Sequence, residues 1–198
     1  MQNLKLIILA FFLCGSSLTV LGQEKMADKA MAAMPGSVTD SFIKQSKHVQ
    51  EQMEALLGAI PQDKFNWRPM EGVRSIGESF MHVGAGNYLM AVTLGGTAPN
   101  GFEESTYEKS LTDKTQILEA LRKSFNEINE TVSNIPEANY GKTVKFFGMD
   151  LTILDVIFAA ANHQHEHFGQ QIAYARMNGI VPPWTAEMNK KMKEKAMK

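Results

Sequence analysis

The sequence predicts an all-α protein built as a four-helix bundle. Four long stretches carry apolar residues at helical spacing, and capping residues, glycines and prolines separate them. The length of 198 residues suggests one domain. Four amphipathic helices in one chain bury their apolar stripes most simply against one another, which favours a bundle.

The first two predicted helices are separated by a loop that begins at Pro61. The first runs over residues 37–60, and its apolar face comprises Phe42, Val49, Met53, Leu56, Leu57 and Ile60. The second begins at Ser75 with Glu78 three residues later, a spacing typical of a capping box, and ends at residues 95–96. Its main stripe comprises Ile76, Phe80, Val83, Asn87, Met90 and Leu94.

The third and fourth predicted helices lie in the second half of the chain. The third has the three-four alternation of a bundle seam, in Leu118, Leu121, Phe125, Ile128, Val132 and Ile135. The fourth begins at Thr152, with Asp155 in the box position, and runs to residues 178–179, about 40 Å at 1.5 Å per residue. We expect its larger apolar stripe to face the core: Leu154, Ile157, Phe158, Ala161, Phe168 and Ile172.

The connections complete the predicted organisation. Residues 142–149 are predicted to form a short hairpin or an extended crossing before the last helix. The loop 96–110 is long enough to act as a lid. We expect the bundle to occupy residues 37–184, followed by a solvated, lysine-rich tail over 185–198 and preceded by a lead-in over 23–36.

Residues 1–22 are predicted to be a signal peptide. Lys5 precedes an unbroken apolar run over residues 6–13, and small residues lead to a cleavage site before Gln23. The apolar run is too short to span a bilayer. We therefore expect a secreted or periplasmic protein with no stable membrane span after cleavage.

Composition excludes several classes of function. Cys14 is the only cysteine and lies in the predicted signal peptide, so the mature chain would have no disulfide, thiolate ligand or cysteine nucleophile. The formal net charge is −1, and the last ten residues carry the only basic cluster. Nucleic acid is therefore not an expected partner.

Three histidines could form a metal site. His163 and His167 are four residues apart on the fourth helix and share one face, and His82 on the second helix could complete a set of three. Imidazole is the commonest metal ligand, and three protein ligands leave a coordination position open, as in catalytic zinc sites. Spacing alone leaves the alternative open that the pair caps a helix or hydrogen-bonds on a solvated face.

Other polar residues near these histidines are candidates for supporting roles. Gln170 and Tyr174 share the face of the pair and could bind substrate. Glu78, one turn before His82, is either a helix cap or an acceptor for the N–H of a ligand. His165 falls on the apolar stripe, where a packed or interface histidine is expected.

The spacing of the pair matches the zincin motif H-E-x-x-H only in its histidines. Gln164 stands where the catalytic glutamate would be, so that mechanism is not predicted. Glu166 is a weak candidate for a general base, and no catalytic residue is assigned. His48 has no partner in the sequence and is expected at the surface.

The sequence contains two longer motifs. One is FNWRP at 65–69 with SIGE at 75–78 and FMHV at 80–83, and the other runs from NH at 162–163 to PP at 182–183. Both resemble the signatures of the DinB-like superfamily of metal-binding four-helix bundles. The resemblance spans about residues 38–183. It implies that His82, His163 and His167 hold a divalent metal, with Zn favoured and Ni, Fe or Mn as alternatives. Members commonly carry a His and an Arg where this chain has Glu166 and Phe168.

The resemblance implies more than one class of function. Superfamily members include thiol S-transferases, a mycothiol-dependent isomerase and proteins described as metal-dependent hydrolases. We therefore predict a secreted metal-dependent hydrolase or transferase acting on a small molecule that the sequence does not identify. The alternatives are a non-catalytic metal-binding or stress-related protein, and a helical dimerisation module that forms a homodimer through the fourth helix.

Overall fold

The computed structural model describes residues 37–197 and shows an all-α bundle with one small hairpin, which confirms the predicted fold class. The expected signal peptide (1–22) and lead-in (23–36) lie outside the described residues. The helices are α1 Val38–Ala59, α2 Ile76–Thr93, α3 Glu104–Tyr107, α4 Lys114–Ser133, α5 Ile153–Met177 and α6 Pro183–Ala196. The strands are β1 Thr143–Phe146 and β2 Met149–Thr152, and short 3-10 turns cover Gln62–Lys64 and Glu137–Asn139.

Helix α2 is the most enclosed element of the bundle. It packs against α4 and α5, and α1 packs against the same two helices, so the consecutive helices α1 and α2 occupy opposite corners. The short helix α3 and strand β1 also contact α2. As a result, 14 of the 18 residues of α2 are buried, including polar ones. Any group that α2 carries towards α5 is therefore held by packing on several sides.

Both predicted capping boxes are present. The Ser75 hydroxyl accepts a hydrogen bond from the Glu78 N–H, and the Glu78 carboxylate accepts one from the Ser75 N–H at 2.7 Å. Thr152 and Asp155 form the same reciprocal pair at the start of α5. Each box satisfies backbone donors that a helix start leaves unpaired. The boxes thus fix the first residue of the two helices that carry the histidines.

The buried face of α5 differs from the predicted apolar stripe. Phe158, expected in the core, is 55% exposed, whereas Gln164 and Gln171 are buried at 0% and 1% exposure. The buried residues are Val156, Ile157, Ala160, Gln164, Gln171, Tyr174 and Ala175. The stripe prediction was wrong for Phe158 but not for Ile157, which is buried, nor for the half-buried residues that pack against the core, namely Leu154, Ala161, Phe168 and Ile172. Because it counted only apolar residues, it missed the two buried glutamines.

A buried hydrogen-bond network joins α5 to α2 and α4. The Gln164 amide donates to Asn87 Oδ1 at 3.0 Å, and Asn87 Nδ2 donates to Ser124 Oγ at 3.2 Å. About two helical turns closer to the start of α2, the Ser79 carbonyl accepts a hydrogen bond from the Gln171 side chain at 3.2 Å. Since buried polar groups are costly unless they are paired, these bonds favour one register of α5 along α2.

The predicted hairpin lies directly before α5. Strands β1 and β2 pair antiparallel, with Thr143 opposite Thr152 and Phe146 opposite Met149. The two-residue turn has positive φ at both Phe147 (48°) and Gly148 (77°), as a type I′ turn requires. The hairpin therefore leads the chain into the Thr152 cap.

The lysine-rich tail, predicted to be solvated, forms helix α6. None of its described side chains is buried. Among residues 37–197, no helix combines the length and the apolar character needed to cross a bilayer.

We expect Asn87→Ala to destabilise the bundle by about 2 kcal/mol, because it leaves the buried Gln164 and Ser124 groups without their partner. Asn189→Ala, at an exposed position on α6, is the control and should change stability by less than about 0.5 kcal/mol. Urea unfolding followed by circular dichroism measures both. Equal stability of the two variants would show that the network contributes little.

Candidate metal centre

The imidazole rings of His82, His163 and His167 converge between α2 and α5. The ring centroids are 5.0 Å apart for His82 and His163, and 4.5 Å for each of the other two pairs. One nitrogen from each ring lies within 4.8 Å of the others. The structure thus brings together the three residues that the sequence singled out, and the cluster is compatible with a divalent metal ion.

The close approach of the helices depends on Gly86. A Cβ atom at this position would lie 2.3 Å from Cε1 of His163 and 2.8 Å from each of its ring nitrogens. The His163 ring therefore occupies the space that any other side chain at position 86 would fill. His82 lies one helical turn before Gly86, so the same contact brings its ring to the His163 ring.

Glu108 orients the His82 ring. Its Oε2 lies 3.0 Å from Nδ1 of His82. A carboxylate only accepts hydrogen bonds, so Nδ1 carries the proton and Nε2 presents its lone pair to the cluster. The same oxygen accepts a bond from Nε of Arg74 at 2.9 Å. Arg74 thereby holds the Glu108 carboxylate, which in turn orients the His82 ring.

Glu108 belongs to the loop 96–110, which was predicted to be a lid. The loop contains α3 and is anchored to α2 by an aromatic cluster of Tyr88, Phe102 and Tyr107. The three ring centroids lie 5.4–5.8 Å apart in edge-to-face geometry. The loop therefore packs against the bundle and supplies a residue to the site.

His167 is oriented by a chain of side chains on its own helix. Its Nδ1 lies 3.0 Å from the side-chain oxygen Oε1 of Gln170, and Nε2 of Gln170 donates to the Tyr174 hydroxyl at 3.0 Å. Trp67, from the FNWRP motif, contacts the Tyr174 ring edge-on at 5.6 Å. The structure thus shows Gln170 and Tyr174, the predicted substrate-binding candidates, engaged in positioning His167.

Burial keeps two of the three rings neutral. The pKa of His82 is lowered to about 4, first by burial and then by the charge of Arg74 and by His167, against the opposing effect of Glu108. The pKa of His163 is lowered to about 3 by burial and by the neighbouring His167, His82 and Arg74. At neutral pH both rings therefore hold free lone pairs, the state that metal binding requires.

The cluster of nitrogens is suited to a cation. Nε2 of His82 and Nε2 of His163 face each other at 3.2 Å. Nδ1 of His163 is buried and finds no hydrogen-bond partner within the described residues. Three imidazoles with no carboxylate or thiolate among the converging ligand atoms form a donor set that suits Zn, Cu, Fe or Ni.

A cleft with a volume of about 580 Å³ lies beside the cluster. It contains two residues that support the site, Glu108 and Gln170. Its lining residues are Arg68, Gly72, Val73, Arg74, Glu78, Glu108, Lys109 and Gln170. A small molecule in this cleft would lie next to the residues that hold His82 and His167.

Glu78 was one candidate to accept a hydrogen bond from the N–H of a ligand histidine, but its carboxylate has other partners. Its carboxylate accepts from the Ser75 N–H and pairs with Arg68 at 3.3 Å, so it serves as the helix cap. Glu108 takes the position beside His82 instead. The roles of Glu108 and Arg74 could not be predicted from residue spacing, because both residues lie in loops and Glu108 is 26 residues from His82 in the sequence.

The remaining histidines and polar neighbours lie outside the cluster. His165 is exposed and its Nδ1 donates to the Ala161 carbonyl, so it is not packed in the core. His48 is exposed, as expected, beside Gln52. Glu166 is also exposed, and Gln164 belongs to the buried network described above.

The comparisons with known proteins agree with this fold. A protein-family model described as the DinB superfamily matches residues 45–171, and the chain belongs to that superfamily. The family that the sequence motifs resemble is thereby confirmed. No curated protein matches the chain.

Solved structures show the same fold at low sequence identity. A DinB-like protein from Bacillus cereus is 17% identical, with a TM-score of 0.62 over 72% of this chain and 93% of that one. YfiT from Bacillus subtilis, described as a probable metal-dependent hydrolase with an unusual four-helix bundle topology, is 10% identical, with a TM-score of 0.61 over 75% and 92%. The mycothiol-dependent maleylpyruvate isomerase is 11% identical, with a TM-score of 0.54 over 68% and 60%.

We expect Gly86→Ala to weaken metal binding at least tenfold, because the added methyl group displaces the His163 ring. Gly84→Ala is the matched control on the same helix, since its Cβ would meet nothing closer than Ser124 Oγ at 3.5 Å. Competition with a chelating dye measures the affinity of each variant.

Thermal unfolding separates a displaced ring from a general loss of structure. Gly86→Ala should lower the unfolding temperature of the wild type. It should lower that of the His163→Ala variant less, because the ring that overlaps the added methyl group is absent there. Wild-type metal affinity in Gly86→Ala would contradict the proposed packing.

Proposed function

We propose that this protein is an exported metal-dependent hydrolase that holds one Zn²⁺ ion through His82, His163 and His167. The observation that carries the proposal is the convergence of three imidazoles, two of them with strongly lowered pKa values, beside a cleft of about 580 Å³. Three protein ligands leave a position open for water or substrate. YfiT, which shares the fold, is described as a probable metal-dependent hydrolase.

The side chains of this protein would bind the metal ion and orient its three ligands. A zinc ion in such a site lowers the pKa of water and polarises a carbonyl group. Glu108 and Gln170 hold the Nδ1 protons of His82 and His167, which fixes the tautomer and direction of each ring. Gly86 gives His163 the room it needs.

Export favours hydrolysis over thiol transfer. The predicted signal peptide would place the protein outside the cytosol, where the low-molecular-weight thiols that maintain a reduced state are scarce. A hydrolase needs only water as its second reactant.

A non-catalytic metal-binding role is the second candidate, and one observation favours it. Glu108 is the carboxylate that hydrogen-bonds to a ring of the cluster, and it already accepts hydrogen bonds from both His82 and Arg74. Both bonds use the same oxygen, Oε2, so that oxygen is not free to take a proton from water in this arrangement. The homodimer through α5 also remains a prediction, with the exposed Phe158 and His165 on its outer face.

We expect the purified wild type and His48→Ala to contain about one equivalent of divalent metal, and His163→Ala to contain much less. Inductively coupled plasma mass spectrometry of the three proteins measures this and distinguishes Zn from Ni, Fe and Mn. His48 is the control because it lies on the exposed surface, away from the cluster. Equal metal content in both variants would remove the basis of the assignment.

A panel of small ester, amide and thiol substrates then tests catalysis. Hydrolysis that is lost on chelation and restored by metal supports the enzyme. A stoichiometric metal ion with no turnover in the panel would favour the binding role.

A further inference from the structure

The cleft beside the metal centre carries an excess of positive charge. Three cationic side chains line it, from Arg68, Arg74 and Lys109, against the two carboxylates of Glu78 and Glu108. Both carboxylates are already used, Glu78 by the Ser75 N–H and Arg68, and Glu108 by His82 and Arg74. The cations therefore determine what the open part of the cleft can bind.

Two of the cations keep donors free. Among residues 37–197, Arg74 is bonded only through Nε, and its two terminal NH₂ groups have no partner. The Lys109 ammonium likewise forms no ion pair or hydrogen bond within that range. Both residues face the same cleft, and the Arg74 side chain is 38% exposed, so a ligand can reach its free donors.

Arg74 also connects the cleft to the histidines. Its Nε shares the Glu108 oxygen with His82, at 2.9 and 3.0 Å. A ligand group on the free side of Arg74 would therefore lie close to the metal centre.

We propose that this cleft binds a small carboxylate-bearing substrate, held by Arg74 and Lys109 with its reacting group turned towards the three histidines. The proposal rests on the proposed function and names the substrate class. The planar guanidinium fork matches the two oxygens of a carboxylate, and Lys109 adds a second, flexible positive charge. The cleft volume suits a molecule of metabolite size.

Isothermal titration of the full chain with succinate tests the proposal, with succinamide as the neutral probe of the same length. Succinate should bind and succinamide should bind at least tenfold more weakly. Affinity for succinate should fall about fivefold in Lys109→Gln and about tenfold in Arg74→Gln, since each loses a charge-assisted contact. Lys123→Gln, on the exposed side of α4 where Lys123 pairs with Glu119, is the control and should bind as the wild type does.

Each titration is made with zinc-loaded and with chelator-treated protein, and metal content is measured in parallel. Failure of the chain to hold metal would overturn the proposed function. The chelator-treated protein would still show whether Arg74 and Lys109 bind succinate. Equal affinities for succinate and succinamide, or wild-type succinate affinity in both cleft variants, would overturn the carboxylate assignment. So would tighter binding of inorganic phosphate than of succinate in every form.

Discussion

The close contact between α2 and α5 at Gly86 is the constraint on which the site depends. The ring of His163 lies where a Cβ of residue 86 would be, so the two helices approach closely enough for His82 to meet the His163–His167 pair. His82 is buried and His163 and His167 are half-buried, and polar groups in such surroundings cost free energy unless they are paired. A bound cation would pair with the ring nitrogens that converge there.

The polar network beside the histidines determines how α5 lies against α2. Gln164 follows His163 directly and bonds to Asn87, which itself follows Gly86. Gln171 repeats the connection at the Ser79 carbonyl, two helical turns further along α5. Apolar contacts alone would tolerate sliding of one helix along the other, whereas a shift of one turn would break both hydrogen bonds. The network and the metal centre therefore specify the same register.

Much of this organisation follows from the sequence, because local signals encode it. The Ser75 and Thr152 caps, the hairpin before α5 and the i, i+4 spacing of His163 and His167 depend on neighbours within a few residues. The buried face of α5 followed only in part, since Gln164 and Gln171 are polar, were not counted in the apolar stripe and are nevertheless fully buried. Glu108 could not be assigned either. It reaches His82 across 26 residues from a loop whose position depends on the packing of Phe102 and Tyr107 against α2.

The most direct test of the account is the anomalous difference density of crystals grown with zinc. We expect one strong peak between α2 and α5, about 2.0–2.1 Å from a ring nitrogen of each of His82, His163 and His167, with a further ligand from solvent. A peak held by fewer than three of these rings, or zinc bound only at other places on the chain, would contradict it.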